Sequence, residues 1–303
     1  MASAEKKSIL LTFDVEDWFQ VENFKEYIPF SSWDSNELRV ERNTNNILDI
    51  LDSFSFKPRA TFFILGWIAK RVPNLVIEIA KRGHEVASHG NLHNLCTHQQ
   101  SDELFQDLTY SKKLLEDILG NQIFGYRAPN FSITEKALGQ IKKAGYLYDS
   151  SYNSFSMHGR YGKLDLFDKK RSKKIYKTLD SLYEIPISNY HIGSNVIPFG
   201  GGGYFRLIPF WLFKLGMKSV LNSDQIFVFY AHPWEFDPEQ PRVDQASSVF
   251  KFRHYINIHK TEFKLKALIS AFSCCRFTTC SGYLNQLQRV FNTTGINSHS
   301  RNI

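Results

Sequence analysis

Apolar and polar positions along the first half of the chain switch between two periods. Short uninterrupted apolar runs, "ILLTFDV" from Ile9 and "ATFFIL" from Ala60, read as strands buried on both faces, as in a parallel sheet. Between and after them lie segments with helical spacing. Ile47, Leu48 and Leu51 mark a helix over 43–52, 74–83 is a helix stopped by Gly83, 101–119 starts on Ser101 as N-cap, and Thr134 caps a helix that ends at Gly145. Further strands are predicted at 84–88, 123–127 and 146–149. Beyond residue 150 the pattern loosens. A glycine run at 200–203 reads as a turn bringing backbone close to a ligand, a helix follows from Pro209 to about Leu221, and a strand runs from Ile226 to His232. An amphipathic helix starts at Thr261, and a last short strand starts at Arg276. Repeated βα units predict an α/β fold with a parallel sheet or barrel and right-handed crossovers. The expected division is a catalytic domain over 8–235 and a C-terminal extension over 236–291 packing on it.

In such folds chemistry gathers where strands end. The polar residues at those ends are Asp14, Glu16 and Asp17, then His89 and His93, Arg127, Asp149, and much later His232. They are far apart in sequence, yet this topology brings them to one mouth. Two histidines four positions apart, as in "SHGNLH", are by themselves commonly surface residues; convergence with carboxylates makes them candidate metal ligands.

Composition adds bounds. The chain has 303 residues with 43% hydrophobic and 15% aromatic content, ample for a large core and unlike a disordered chain. A net charge of +7 is spread along the chain, with one real cluster at 169–174 that reads as a loop. This spread predicts no nucleic-acid partner. Cys96, Cys274, Cys275 and Cys280 form no C-x-x-C pair, and the adjacent Cys274 and Cys275 read as free thiols of a reducing compartment, buried or partly so. The N-terminus lacks a signal-peptide pattern, and no run reaches the length of a membrane span, so a soluble, cytoplasmic protein is expected. "LIPFWLFKLGMKSVL" is the most apolar segment; Lys214 and Lys218 break it, leaving a peripheral membrane contact open.

Two histidines and a carboxylate on a divalent metal leave positions for water and substrate. A second carboxylate can take a proton, and a further histidine can protonate a leaving amine. This predicts metal-assisted amide hydrolysis. "TFDVED", "SHGNLH", "YRAPNF", "YDSS" and "FYAHPWEF" resemble, in order and spacing over most of 8–235, the five motifs of the polysaccharide deacetylase family, also called the NodB-homology or carbohydrate esterase family 4 domain. "HPWEFDPEQPRV" and "FRHYINIHKTEFKLKAL" resemble the C-terminal region of a bacterial subgroup found with exopolysaccharide and exosortase systems.

The resemblance implies a distorted (β/α) barrel, often seven-stranded, and a divalent metal, usually zinc. It implies Asp14 as base, His89 and His93 as metal ligands, Arg127 holding Asp14, His232 as acid, and Asp149 pairing with His232. The first motif usually reads T-F-D-D; here Val15 stands in place of the second aspartate, so the metal carboxylate is Glu16 or Asp17. Strand alternation favours Glu16, and a turned chain would allow Asp17. The implied partner is an N-acetylated glycan of an exopolysaccharide or its precursor; the oligomeric state stays open. Two rivals remain: a metal-independent, allantoinase-like cyclic amidohydrolase, and a non-catalytic carbohydrate-binding protein, kept alive by Val15.

Overall fold

The computed structural model describes residues 6–155, 162–166, 170–172, 175–179, 181–193 and 195–293. The first half is a series of βα units. β1 (Ser8–Val15) leads to α1 (Val40–Asp52), β2 (Ala60–Ile64) to α2 (Gly66–Arg71) and α3 (Pro73–Lys81), and β3 (Glu85–Ser88) to α4 (Ser101–Leu119). β4 (Gly125–Tyr126), α5 (Glu135–Lys143) and β5 (Tyr148–Asp149) complete it. The second half adds a meander of β6 (Lys170–Ser172), β7 (Ile175–Leu179) and β8 (Leu182–Glu184), and a small hairpin of β9 (Tyr190–Ile192) and β10 (Asn195–Ile197). Then come α6 (Gly202–Leu207), α7 (Phe210–Asp224), β11 (Ile226–Ala231), α8 (Ser248–Tyr255), α9 (Thr261–Ala271), β12 (Arg276–Phe277) and α10 (Cys280–Thr293).

The strand order β11-β1-β2-β3-β4-β5-β8 is parallel throughout, giving the seven parallel strands expected; β7 and β6 extend it antiparallel, and β12 pairs with β1. The sheet curls into a distorted half-barrel. Between β8 and β11 the chain closes the gap by isolated contacts, Ser188 N–H to Val228 O at 3.3 Å and Tyr230 N–H to Gly200 O at 2.8 Å, instead of a full ladder.

The alternation of β1 explains the two cores. Ile9, Leu11, Phe13 and Val15 pack outward with Ile47, Leu48 and Leu51 of α1, while Leu10 faces inward with Phe63, Ala87, Tyr148 and Val228. α10 seals the inner core, contributing Cys280, Tyr283 and Leu284. Its first N–H groups are fixed to the strands, Cys280 N to Thr61 Oγ1 at 2.9 Å and Ser281 N to Glu85 Oε2 at 3.0 Å. With the N-terminal end of the half-barrel plugged by apolar side chains, the inward polar positions of β1, Thr12 and Asp14, collect at the other end.

Several local expectations change. α4 begins on Gln100, whose N–H is accepted by Glu103 Oε2 at 3.0 Å, so Ser101 is its first helical residue and not its cap. Thr134 caps α5 as expected, accepting from Ala137 N. Lys170–Ser172 within the basic cluster form strand β6, not a loop; Lys169, Lys173 and Lys174 lie outside the described residues. Cys96 and Cys280 are buried and Cys275 partly so, while Cys274 is exposed, and all four thiols are free. Among the described residues no helix is long and apolar enough to cross a membrane.

The segment past 236 shares the main core: Leu265, Leu268 and Ile269 belong to the cluster that holds Phe13. Leu268→Ala is therefore expected to lower the stability of the whole chain by about 2–5 kcal/mol within a single transition. Urea unfolding followed by tryptophan fluorescence and circular dichroism checks this; a separate early transition would show that 236–291 folds apart.

Candidate active site and metal centre

The site is built at the C-terminal end of β1. Asp14 points inward by strand parity, and a tight turn, Glu16 N to Asp14 O at 3.0 Å, keeps Glu16 on the same side while Val15 stays in the outer core. Asp17 is turned away. Its carboxylate accepts from the backbone N–H groups of Trp18, Arg39 and Val40 at 2.7–2.8 Å, which caps the start of α1. This corrects the expectation that left Asp17 as a metal ligand: three backbone donors occupy its oxygens, and Glu16 is the carboxylate of the site.

The loop after β3 carries both histidines. It is held by α2, whose first N–H groups donate to Gly90 O and Asn91 O at 2.8 and 3.0 Å. Gly90 has φ +76°, where an added Cβ would also meet Asp107 Oδ1 at 2.9 Å. His93 adopts φ +56°, an unusual conformation for a side chain of its size and one that functional sites maintain at a cost of order 1–3 kcal/mol. His89 Nδ1 lies 2.9 Å from Arg127 O. A carbonyl only accepts, so Nδ1 carries the proton and Nε2 presents its lone pair to the site. Burial pushes the pKa values of both rings down to about 4, so both are neutral at ordinary pH.

Glu16, His89 and His93 offer ligand atoms that all lie within 4.8 Å of one another, and all three are buried. Glu16 Oε2 has no hydrogen-bond partner although it lies 3.1 Å from His93 Nε2. A buried carboxylate oxygen facing neutral imidazoles is poorly satisfied by protein alone, and two imidazoles with one carboxylate suit a divalent cation. The residues fit the group.

Arg127 lies fully buried beside this cluster and bonds Asp14 Oδ1 and Thr12 Oγ1 at 2.7 Å each, as well as Ser150 O and Oγ at 2.9 Å each. Burial alone would raise the Asp14 carboxyl, but Arg127, with His89 and His232, outweighs it and holds Asp14 below its ordinary range. Ser151 Oγ accepts from Ala128 N at 2.8 Å, so the "YDSS" turn positions the arginine loop.

Asp149 does not reach His232, correcting the expected pair. It accepts from Ser151 Oγ at 2.5 Å and lies against Glu184. Burial raises both carboxyls, and the Asp149 charge beside it raises Glu184 further. His232 instead meets Glu235: Nδ1 to Oε1 is 2.9 Å, and the His232 N–H also donates to Oε1 at 3.1 Å. Glu235 is in turn bound by the buried Arg206, Nε to Oε2 at 2.7 Å. Across the ring, His232 Nε2 is 3.0 Å from Glu16 Oε1 and 3.9 Å from Asp14 Oδ2. Burial opposes charge on the ring, but Glu16 and Glu235 overcome it and push its pKa up to about 10. Glu235 and Arg206 are side chains of the site that sequence reasoning did not place. The available signal was His-Pro-x-Glu, in which proline opens a helical turn and the glutamate three positions on returns to the cap residue. The glycine run contributes to the same pocket: a Cβ on Gly202 would lie 2.2 Å from Glu235 Oε1.

A groove of about 800 Å³ runs from Asp14, Glu16 and His232 past Asn130 and Tyr204 to Leu207 and Phe252. The Asn130 side-chain nitrogen is buried without a partner.

Comparison with known proteins speaks to the family and the fold. Residues 2–148 match the family model described as polysaccharide deacetylase, and 150–284 match a domain of unknown function, DUF3473. The chain is 31% identical over 103 residues to a peptidoglycan-N-acetylglucosamine deacetylase of Bacillus cereus, covering 34% of this chain and 47% of that protein. It is 32% identical over 106 residues to the peptidoglycan-N-acetylmuramic acid deacetylase PdaC of Bacillus subtilis, covering 35% and 22%. The chain thus spans less than half the length of these curated relatives. A crystal structure from Mycobacterium smegmatis, of a protein assigned to the polysaccharide deacetylases, superposes with TM-score 0.59 at 20% identity over 100% of this chain and 96% of that one, a likeness of fold.

Elemental analysis of purified variants checks the ligand set. Glu16→Gln and His93→Ala are expected to lose bound divalent metal, whereas Asp17→Asn retains it and loses about 1 kcal/mol of stability through the α1 cap. Metal loss in Asp17→Asn with retention in Glu16→Gln would reverse the assignment.

Proposed function

Residues 2–148 belong to the polysaccharide deacetylase family, and from that premise we propose that this protein is a metal-dependent N-deacetylase that hydrolyses the acetamide of N-acetylated sugars. The observation that carries the reading is the placement of Asp14 and His232, 3.9 Å apart, beside the Glu16–His89–His93 cluster. Val15, which favoured a non-catalytic reading, is offset by Glu16 reaching the position of a metal carboxylate.

Glu16, His89 and His93 would hold the cation, with zinc our assignment from the ligand set. Bound there, a divalent cation supplies Lewis acidity toward water and a carbonyl oxygen. Asp14 takes a proton from the water that attacks the acetamide carbonyl. Arg127 fixes the orientation of Asp14 and keeps it ionised, so it is ready to act as base. The C–N bond breaks as the charged His232 ring gives its Nε2 proton to the departing nitrogen, releasing acetate and a sugar amine. Glu235 accepts from Nδ1–H, so the ring presents Nε2–H to the groove. The substrate we favour is the glycan of an exopolysaccharide or its lipid-linked precursor. The four free thiols suit the reducing compartment we assign to the protein.

Acetate release from N-acetylglucosamine oligomers and from N-acetylated exopolysaccharide tests the reading. Asp14→Asn is expected to lower kcat by about 10²–10⁴ while metal stays bound. Metal loading without acetate release from any N-acetylated glycan would overturn it. The pH profile gives a second check. Glu235 stabilises the charged ring, so Glu235→Gln lowers the His232 pKa. The basic limb of kcat/KM is then expected to move to lower pH by roughly one to three pH units. An unmoved limb would separate Glu235 from the acid.

A further inference from the structure

Two stretches meet at the outer end of the groove, and neither contains an acidic residue. Residues 200–223 carry Arg206, Lys214 and Lys218, and residues 245–261 carry Lys251, Arg253 and Lys260, with no Asp or Glu in either. Buried Arg206 ties the two together, and buried Lys264 of α9 braces the first. The Arg206 guanidinium donates to the carbonyls of Arg253, His254 and Ile256 at 2.7–3.1 Å, and Lys264 Nζ donates to those of Phe205, Arg206 and Ile208 at 2.8–3.0 Å. These bonds fix the C-terminal end of α6 and hold the following segment, "LIPFWL", at the surface.

The apolar side chains there are not folded in. Trp211 is 66% exposed, Leu215 54%, Leu207 49% and, from α8, Phe252 56%. A single exposed apolar residue needs no explanation, but here four large ones sit on adjoining elements, and Leu207 and Phe252 line the mouth of the same groove. On α7 the exposed apolar positions lie in the first half of the helix and Lys218 follows one turn beyond Leu215. That order sets aromatic and aliphatic groups beside lysines whose stems can extend to headgroups.

Charge decides the occupant. A second copy seated on this face would bring Lys214, Lys218, Lys251 and Arg253 against their own equivalents, with carboxylates only at the margins, at Asp224, Asp244 and Glu262, to offset them. An anionic lipid surface complements both the cations and the apolar side chains. We propose that the α6–α7–α8 face docks this protein on an anionic phospholipid bilayer, with Trp211 and Leu215 in the headgroup–acyl boundary and the groove opening toward the membrane. The inference rests on the surface alone and stands or falls independently of the deacetylase reading.

Sedimentation of the full chain with vesicles tests it, using equal parts phosphatidylcholine and phosphatidylglycerol against phosphatidylcholine alone. The wild type is expected to pellet with the anionic vesicles and to be released as salt rises. Trp211→Ser/Leu215→Ser lowers the partition at least about tenfold, and Lys214→Glu/Lys218→Glu weakens it as well. Both substituted pairs keep an unchanged thermal transition, because they alter surface side chains. No pelleting of the wild type with anionic vesicles, or equal pelleting of the Trp211→Ser/Leu215→Ser variant, overturns the proposal. So does a wild-type dimer in light scattering that this variant dissolves without any vesicle binding.

Discussion

The guanidinium of Arg127 ties together the strands that meet at the site. It is fully buried and stands 4.1 Å above the ring of Phe63 on β2. Its hydrogen bonds reach Thr12 and Asp14 on β1 and Ser150 just after β5, and the Thr12 hydroxyl donates onward to Phe229 O on β11 at 2.7 Å. A charge at this depth costs several kcal/mol unless it is paired and its donors are met, and breaking such a pair costs about 3–5 kcal/mol because the partner is left uncompensated. The constraint matters because β4 and β5 are only two residues long. With so little ladder in the middle of the sheet, the ion and the serines of "YDSS" supply the fixed spacing that the strands do not. Stability and chemistry therefore share one group: the bonds that hold the sheet mouth together also fix the charge and orientation of Asp14.

The second half of the chain completes the other side of the site. β11 delivers His232, the turn after it returns Glu235 to the ring, and Arg206 from α6 locks Glu235 while bonding the carbonyls at the end of α8. The ring of His232 lies stacked at 5.2 Å on Trp234, and Trp234 on His254 at 4.0 Å. The acid we assign is thus set by Glu16 on one side and, on the other, by packing and ion pairs drawn from residues 202–256, beyond the stretch that matches the deacetylase model. The region matched only to a domain of unknown function carries half of the site's geometry.

Much of this was legible along the chain, and what was not has physical causes. The continuous apolar runs of β1, β2 and β11 and the parity that turns Asp14 inward follow from period-two alternation, which holds as long as the strand stays extended; Glu16 keeps that side through the turn from its N–H to Asp14 O. Asp17 lay one step past that regularity; two of its three backbone bonds belong to a helix start more than twenty residues away, which local pattern does not register. The partner of His232 was missed for a related reason. Asp149 sits at a strand end and Glu235 in a turn, and a topology argument credits strand ends, whereas the actual contact is a three-residue return made by the turn itself. α6 and α8 escaped notice because six- and eight-residue helices carry too few turns to show a period. Lys170–Ser172 read as a loop because an edge strand tolerates the charges that blunt it.

The central claim is that Glu16, His89 and His93 form one metal centre facing Asp14 and His232. Crystals of the zinc-loaded protein, with anomalous data collected on both sides of the zinc edge, test it most directly. The account predicts one strong anomalous peak within bonding distance of a Glu16 oxygen and His89 Nε2, with His93 as third ligand and Asp17 still on the N–H groups of Arg39 and Val40. A peak bound by Asp17, or full zinc loading with no density between the two histidines, would contradict it.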